Sequence, residues 1–421
     1  MKPKILAIGL ACISSIVFWG CGQPQPAETD EAITLEFWTL QLLNFKETLE
    51  PMFAEYEALH PGVKIKWVDV PFSQGKKRAL SAMMSPEVPD VINLNPDFAA
   101  TLASRKALLN MNEVAPKAVK QAYLPVAWQA VSMRTKNEQG FAVGLPWYIT
   151  SQVTLYNDAL LKKAGWDTPP DSFESLLKLG QDLHRQDLGY ALMPSLAEGG
   201  RFLKFLLKSG APLYNGEGTL QMSSAAAEAH LQFWAEIYQE GLIPKESLTE
   251  GHRAAVDRYQ SGSLALLMTG ANFLNIVKEN APDVYEQTRV ASQFPAGSPV
   301  VDFATMVLVV PQKTKHPKEA VDFAAFITNK TNQLAFAQAA PVLPSVTAAL
   351  EDSYFSEYSP DDKIGQARAM SARQLLNAKQ AFQVLPNQGK IGEVVDYYVQ
   401  LALLGKTKPK AALEALQKRV D

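Results

Sequence analysis

Trp38, Trp147 and Tyr148 read as strand-to-loop junctions, and short polar side chains stand near them: Gln41, Asn93, Asn95 and Asp97. An aromatic face stacks on the apolar face of a sugar ring, while neighbouring amides and carboxylates take its hydroxyls. That mixture of apolar walls and a few placed polar groups is what small-molecule sites use. Motifs for bond-making chemistry are absent: there is no G-x-S-x-G elbow, HExxH pair, Walker A loop or complete G-x-G-x-x-G. Gly216-Glu217-Gly218 lacks the third glycine and reads as a turn. His60, His184, His230, His252 and His316 lack metal-site spacing and read as solvated or capping residues. Among 43 acidic residues some pair can meet by chance, so a two-carboxylate glycosidase stays open, with Asp97 and Asp302 the pair to test. Trp234 and Tyr238, four apart on a helix, read as core, as does Trp67 in an alternating strand.

The elements that must position these residues follow from hydrophobic spacing. Leu35 to Leu40 is a strand, Phe45 to His60 a helix stopped by Pro61-Gly62, and Val63 to Val70 an alternating strand. Lys76 to Met84 is a second helix and Asp90 to Leu94 a third strand. This β-α-β-α-β order predicts a parallel sheet covered by helices on both faces. Ligands in such sheets gather at the carboxyl ends of strands, where Gln41 and Asn95 stand. Further on, Phe141 to Tyr148 reads as a strand entering a turn, and Val153 to Asn157 as the next strand. Asp158 to Glu240 is mostly helical, with one helix begun by Asp171 and Glu174 as a capping pattern. Ser263 to Met268 and Met306 to Val310 are strands, Pro317 to Ala337 is a helix, and the tail from Asp361 is helical.

The chain opens with Lys2, Lys4, an apolar run from Ile5 to Phe18, then Trp19, Gly20 and Cys21. The pattern is that of a secretory leader over residues 1–20. Phe18-Trp19-Gly20-Cys21 resembles the lipobox of bacterial lipoproteins, which implies acylation of Cys21 and a polar tether over 21–32. Cys12 falls in the leader, so no internal disulfide is expected, and a chain of 421 residues needs none to bury a core. The net charge of −3 becomes two units more negative when Lys2 and Lys4 leave, and no basic patch suits nucleic acid.

Several segments together carry a family resemblance. Ile33-Thr34-Leu35-Glu36-Phe37-Trp38-Thr39 resembles the opening strand of the extracellular solute-binding protein family 1, the maltose- and oligosaccharide-binding subunits of ABC importers. Phe53, Glu55 and Tyr56, followed by His60-Pro61-Gly62-Val63-Lys64-Ile65, are similar to the family's next element, and Glu87-Val88-Pro89-Asp90-Val91 to its third strand. Gly144-Leu145-Pro146, Leu155-Tyr156-Asn157-Asp158-Ala159-Leu160, and Val310-Pro311 with Lys318 to Phe323 resemble later segments.

The resemblance implies an α/β, two-lobed periplasmic-binding-protein-like fold (type II) with the ligand cleft between the lobes. The first lobe would be 33–143 plus 304–341, and the second, helix-rich lobe 144–303 plus 342–421. It implies a monomeric receptor, without cofactor or catalysis, held by lipid on the periplasmic or cell-surface side of the membrane. The receptor would close on a sugar or polyol and dock on permease subunits. The family's contact positions fall on Trp38, Gln41, Asn95, Asp97, Trp147 and Tyr148. Gly270-Ala271-Asn272-Phe273 matches its G-P-W segment, with Asn272 at the tryptophan's place and Phe273 beside it, a departure that weakens the case for a long maltodextrin. Arg201, Asp302, Phe303, Asn387 and Lys390 complete the set. Glycerol phosphates, polyamines and compatible solutes are the alternative ligands.

Overall fold

The computed structural model describes residues 32–133, 140–215 and 219–420. The leader, Cys21, the tether as far as residue 31 and the Gly216-Glu217-Gly218 turn lie outside the described residues.

The first lobe grows from β1 (Ile33–Leu40). Successive side chains of a strand alternate faces, so one strand feeds two cores. Leu35 and Phe37 pack with Phe53, Tyr56 and Phe323, whereas Leu40 packs with Val70, Ile92 and Leu94 on the other face. α1 (Lys46–Leu59) buries Leu49, Met52, Phe53 and Tyr56, the inward stripe of an amphipathic helix. β2 (Val63–Val70), α2 (Phe72–Ala82), β3 (Val91–Leu94) and α3 (Pro96–Ala103) complete the unit. β1 pairs in parallel with both β2 and β3, as the alternation of strands and helices predicts.

β4 (Leu145–Asn157) then runs for 13 residues through both halves of the molecule. α4 (Phe173–Arg185), α5 (Phe202–Lys208), α6 (Ala225–Gln239) and α7 (His252–Gln260) follow. Next come β5 (Leu266–Gly270), α8 (Phe273–Asn280), β6 (Thr288–Ala291) and β7 (Phe303–Val309). The chain ends with α9 (Pro317–Ile327), α10 (Lys330–Ala339), β8 (Leu343–Pro344), α11 (Lys363–Asn377), α12 (Gln388–Leu403) and α13 (Pro409–Val420). The main sheet runs β8-β4-β7-β3-β1-β2, and the distal half of β4 also pairs with β5 and β6. A second core, centred on Trp234, Phe202 and Leu206, fills the helical half.

Several expectations are corrected. The two strands expected at Phe141–Tyr148 and Val153–Asn157 are largely the single β4, with only Phe141–Ala142 apart. Trp38 lies inside β1, and Trp147 and Tyr148 lie inside β4, so none of them ends a strand. Trp147 and Tyr148 occupy a register shift opposite β7 between Pro146 and Ile149, which re-aims side chains. Trp147 turns inward, 1% exposed, stacked 5.2 Å from Phe336 and tilted 6.2 Å from Phe37. It is therefore a core residue and offers no stacking face to a ligand. Gly144 lets β4 enter close to β7: a Cβ there would lie 2.6 Å from the Leu308 carbonyl oxygen.

The cap of α4 is Ser172, not Asp171, with Ser172 and Ser175 bonding reciprocally. The helix expected over Pro317 to Ala337 is two, parted where Asn329 caps α10. The helical tail is interrupted between α11 and α12. Val346 and Ala349, beyond residue 341, pack in the Phe37 core.

Trp147→Ala should cost about 3–5 kcal/mol in urea unfolding, as expected for removal of a buried tryptophan. A loss under about 1 kcal/mol would contradict the core placement.

Candidate functional site

The site begins where β4 changes partners. Ser151 still pairs with Phe303 of β7, whereas Gln152 pairs with Gly270 of β5. The Gln293 side chain clips the two strands at this point. Its amide nitrogen donates to the Gln152 carbonyl at 3.3 Å and to the Asp302 carbonyl at 3.1 Å, and its oxygen accepts from the Asp302 amide at 2.7 Å. Gln374 adds a donor to the same Gln152 carbonyl at 3.2 Å. Buried backbone groups must be paired, and two glutamines do what a continuous ladder does elsewhere.

A cavity of about 320 Å³ opens over this changeover. Thr150 and Gln152 of β4, Thr269 and Gly270 of β5, Asn272, Phe273, and Asp302 with Phe303 form its walls, with Arg201, Lys204 and His252. A Cβ at Gly270 would come within 2.6 Å of the Asn272 oxygen, so glycine admits Asn272 to the wall. Phe273 opens α8, its ring 4.8 Å from that of His252 and nearly perpendicular to it. A smaller chamber of about 20 Å³ continues inward, sharing Gln152, Arg201, Lys204, His252 and Asp302 and adding Ser195, Phe205 and Lys208.

The electrostatics centre on Asp302, whose side chain is 12% exposed and accepts from Lys204 Nζ at 2.8 Å. Burial alone would raise its pKa, but Lys204, Lys208 and Arg201 overcome that and hold it down at about 2. Burial lowers the pKa of Lys208, opposed by Asp302; its ammonium donates to the Phe294 carbonyl at 3.3 Å. Burial, then Arg201, lowers His252, whose Nε2 lies 3.3 Å from the Met268 carbonyl. A neutral ring donating there leaves Nδ1 as an acceptor. Among the described residues no hydrogen bond or ion pair engages the Arg201 guanidinium, and the Thr269 hydroxyl, 1% exposed, has no partner.

Five of the thirteen expected residues meet in this cavity: Arg201, Asn272, Phe273, Asp302 and Phe303. The others lie elsewhere. Trp38 packs beside the Leu40 core and its indole donates to Glu36. Gln41, with φ 57°, is exposed just past β1. Asn95 caps the start of α3 with its side-chain oxygen buried and unpartnered, and burial raises the pKa of Asp97 one turn on. Tyr148 packs on Trp147 and Phe336. Asn387 and Lys390 line a separate groove of about 470 Å³ with Tyr214 and Arg419. Asp97 is absent from the cavity walls, and Asp302 is the one carboxylate among the described residues lining them. Of the histidines read as solvated or capping, His230 is buried and accepts from the Trp234 indole, and His252 is in the site. Lys204, Lys208, Gln152 and Thr269 were not anticipated. A legible signal existed: Lys204 and Lys208 stand four apart on an otherwise apolar helix that Arg201 caps.

The sequence pattern of the bacterial extracellular solute-binding protein family matches residues 43–334. The chain belongs to that family. A relative of this solute-binding protein, the Escherichia coli K12 protein named "Putative ABC transporter periplasmic-binding protein YcjN", is 21% identical over 439 residues, which is 100% of this chain and 98% of the relative. A solved structure, named as a "putative oligosaccharide periplasmic-binding protein" from Synechococcus sp. MITs9220, is 30% identical, covers 91% of this chain and 97% of that one, and superposes with a TM-score of 0.83. The sugar-binding protein MalE from Xanthomonas citri, 20% identical, shares the two-lobed fold at a TM-score of 0.73 over 92% of this chain and 96% of its own.

The depressed pKa of Asp302 carries a sign. Its contribution to stability is complete above the unfolded-state carboxyl pKa and is lost as pH falls from about 4 through about 2. The stability gap between the native chain and Asp302→Asn should narrow by roughly 2 kcal/mol over that range in acid titrations of unfolding. A gap independent of pH would remove the ion pair from the account.

Proposed function

We propose that this solute-binding protein is the sugar receptor of an ABC importer, anchored through acylated Cys21 on the periplasmic or cell-surface side of the membrane. The carrying observation is the cavity at the partner change of β4, where polar groups from both crossover strands and the aromatic Phe273 converge. Its volume of about 320 Å³ stands at the small end of ligand pockets, which suits a short saccharide and not a long maltodextrin. Phe273 offers the ring for stacking, while Asn272, Gln152, Thr269 and Asp302 take hydroxyls. Gln41, Asn95 and Asp97 from the first lobe, with Tyr148 from β4, are proposed to reach the solute when the lobes close. Asn387 and Lys390 would touch it only if it extended to their groove. The closed form would then dock on the permease and release the sugar. Family membership and the sugar-binding names of its structural relatives support this reading. The hydrolase alternative loses its pair, since Asp302 has no second carboxylate on its cavity wall and is held ionised by lysines.

Phe273→Ala should weaken binding of the sugar that most raises the melting temperature by about 1–3 kcal/mol in calorimetric titration, with the fold intact. Unchanged affinity would move the ligand out of this cavity. Cys21→Ser should shift the protein from the membrane fraction to the soluble one; retention on membranes would show that Cys21 is not the anchor.

A further inference from the structure

The cavity holds more positive charge than a neutral sugar can use. Arg201 caps the start of α5, Lys204 and Lys208 follow on the helix, and Lys204 alone forms an ion pair, with Asp302. Lys208 is buried and bonded only to a backbone carbonyl, and Arg201 has no partner among the described residues. Glu198, the nearest other carboxylate in sequence, lies against Gly251 and lines neither chamber. The unpartnered hydroxyl of Thr269, buried in the same wall, adds a donor. Asp302 is one carboxylate against three cations, and buried positive charge in excess of its partner is costly unless a further anion completes it. A planar guanidinium beside two ammonium groups matches the oxygens of a carboxylate or phosphate.

We infer that the solute is an acidic sugar, whose carboxylate or phosphate sits against Arg201 and Lys204 at the mouth of the inner chamber, under the field of Lys208. This rests on the sugar-receptor reading and refines it. The ring of the sugar would lie outward against Phe273. The inner chamber has room for about one water-sized group, so the anion's oxygens point there and its body stays in the larger space.

The test is calorimetric titration of the full chain with glucose, glucuronate, galacturonate, glucose 6-phosphate and inorganic phosphate. At least one acidic sugar should bind ten- to a hundredfold more tightly than glucose, the range of a charge-assisted contact. Arg201→Gln should abolish that preference while the unliganded protein stays folded. Lys208→Met, if it folds, should do the same. The carboxylate and phosphate members separate the two anion classes. Glucose binding as tightly as its acidic counterparts, or a preference that survives Arg201→Gln, overturns the anion seat and leaves the sugar receptor standing. Phosphate binding while no sugar binds overturns the sugar receptor and keeps the seat. Silence from every probe overturns both.

Discussion

One strand has to satisfy two sheets. β4 gives its first half to β7 and β8 and its second half to β5 and β6. At Ser151–Gln152 the backbone leaves one set of partners for another, and the hydrogen bonds released there must be made good within a buried region. Gln293 and Gln374 do so with side-chain amides. The Gln152 amide still donates to the Asp302 carbonyl at 3.4 Å, and the two glutamines reinforce the junction at the point where β7 presents Asp302. The cavity is thus a consequence of the same strand geometry.

The charges follow from that placement. Asp302 is fixed by its backbone bonds to Gln293 and cannot retreat from the apolar wall, so it stays ionised only because α5 brings lysines and an arginine to it. The lysine nearest it is spent on the ion pair. The remaining positive charge faces the cavity, and the neutral His252 and the ring of Phe273 complete a wall that is polar on one side and aromatic on the other. Asp302 is the one carboxylate among the described residues lining it.

Much of the first lobe was legible, because alternation in β1 and β2 and the stripe of α1 are strong local signals that tertiary packing reinforced. The identification of Arg201, Asn272, Phe273, Asp302 and Phe303 as neighbours came through resemblance, since no local pattern brings three separate segments together. Trp147 was misplaced because a register shift decides which face a residue occupies, and that shift is set by pairing with β7 over 150 residues away. The break between α9 and α10 turned on Asn329 capping its own helix, a local signal outweighed by continuous apolar spacing. Charge on a helix commonly marks a solvated face, and only the fold turns Lys204 and Lys208 toward the inner chamber.

The most direct test of the account is a crystal structure of the chain with the sugar that binds it most tightly. The account predicts density over the β4 changeover, with the ring on Phe273 and polar contacts from Arg201, Asn272 and Asp302. Density confined to the groove of Asn387 and Lys390, with the changeover cavity empty, would contradict it.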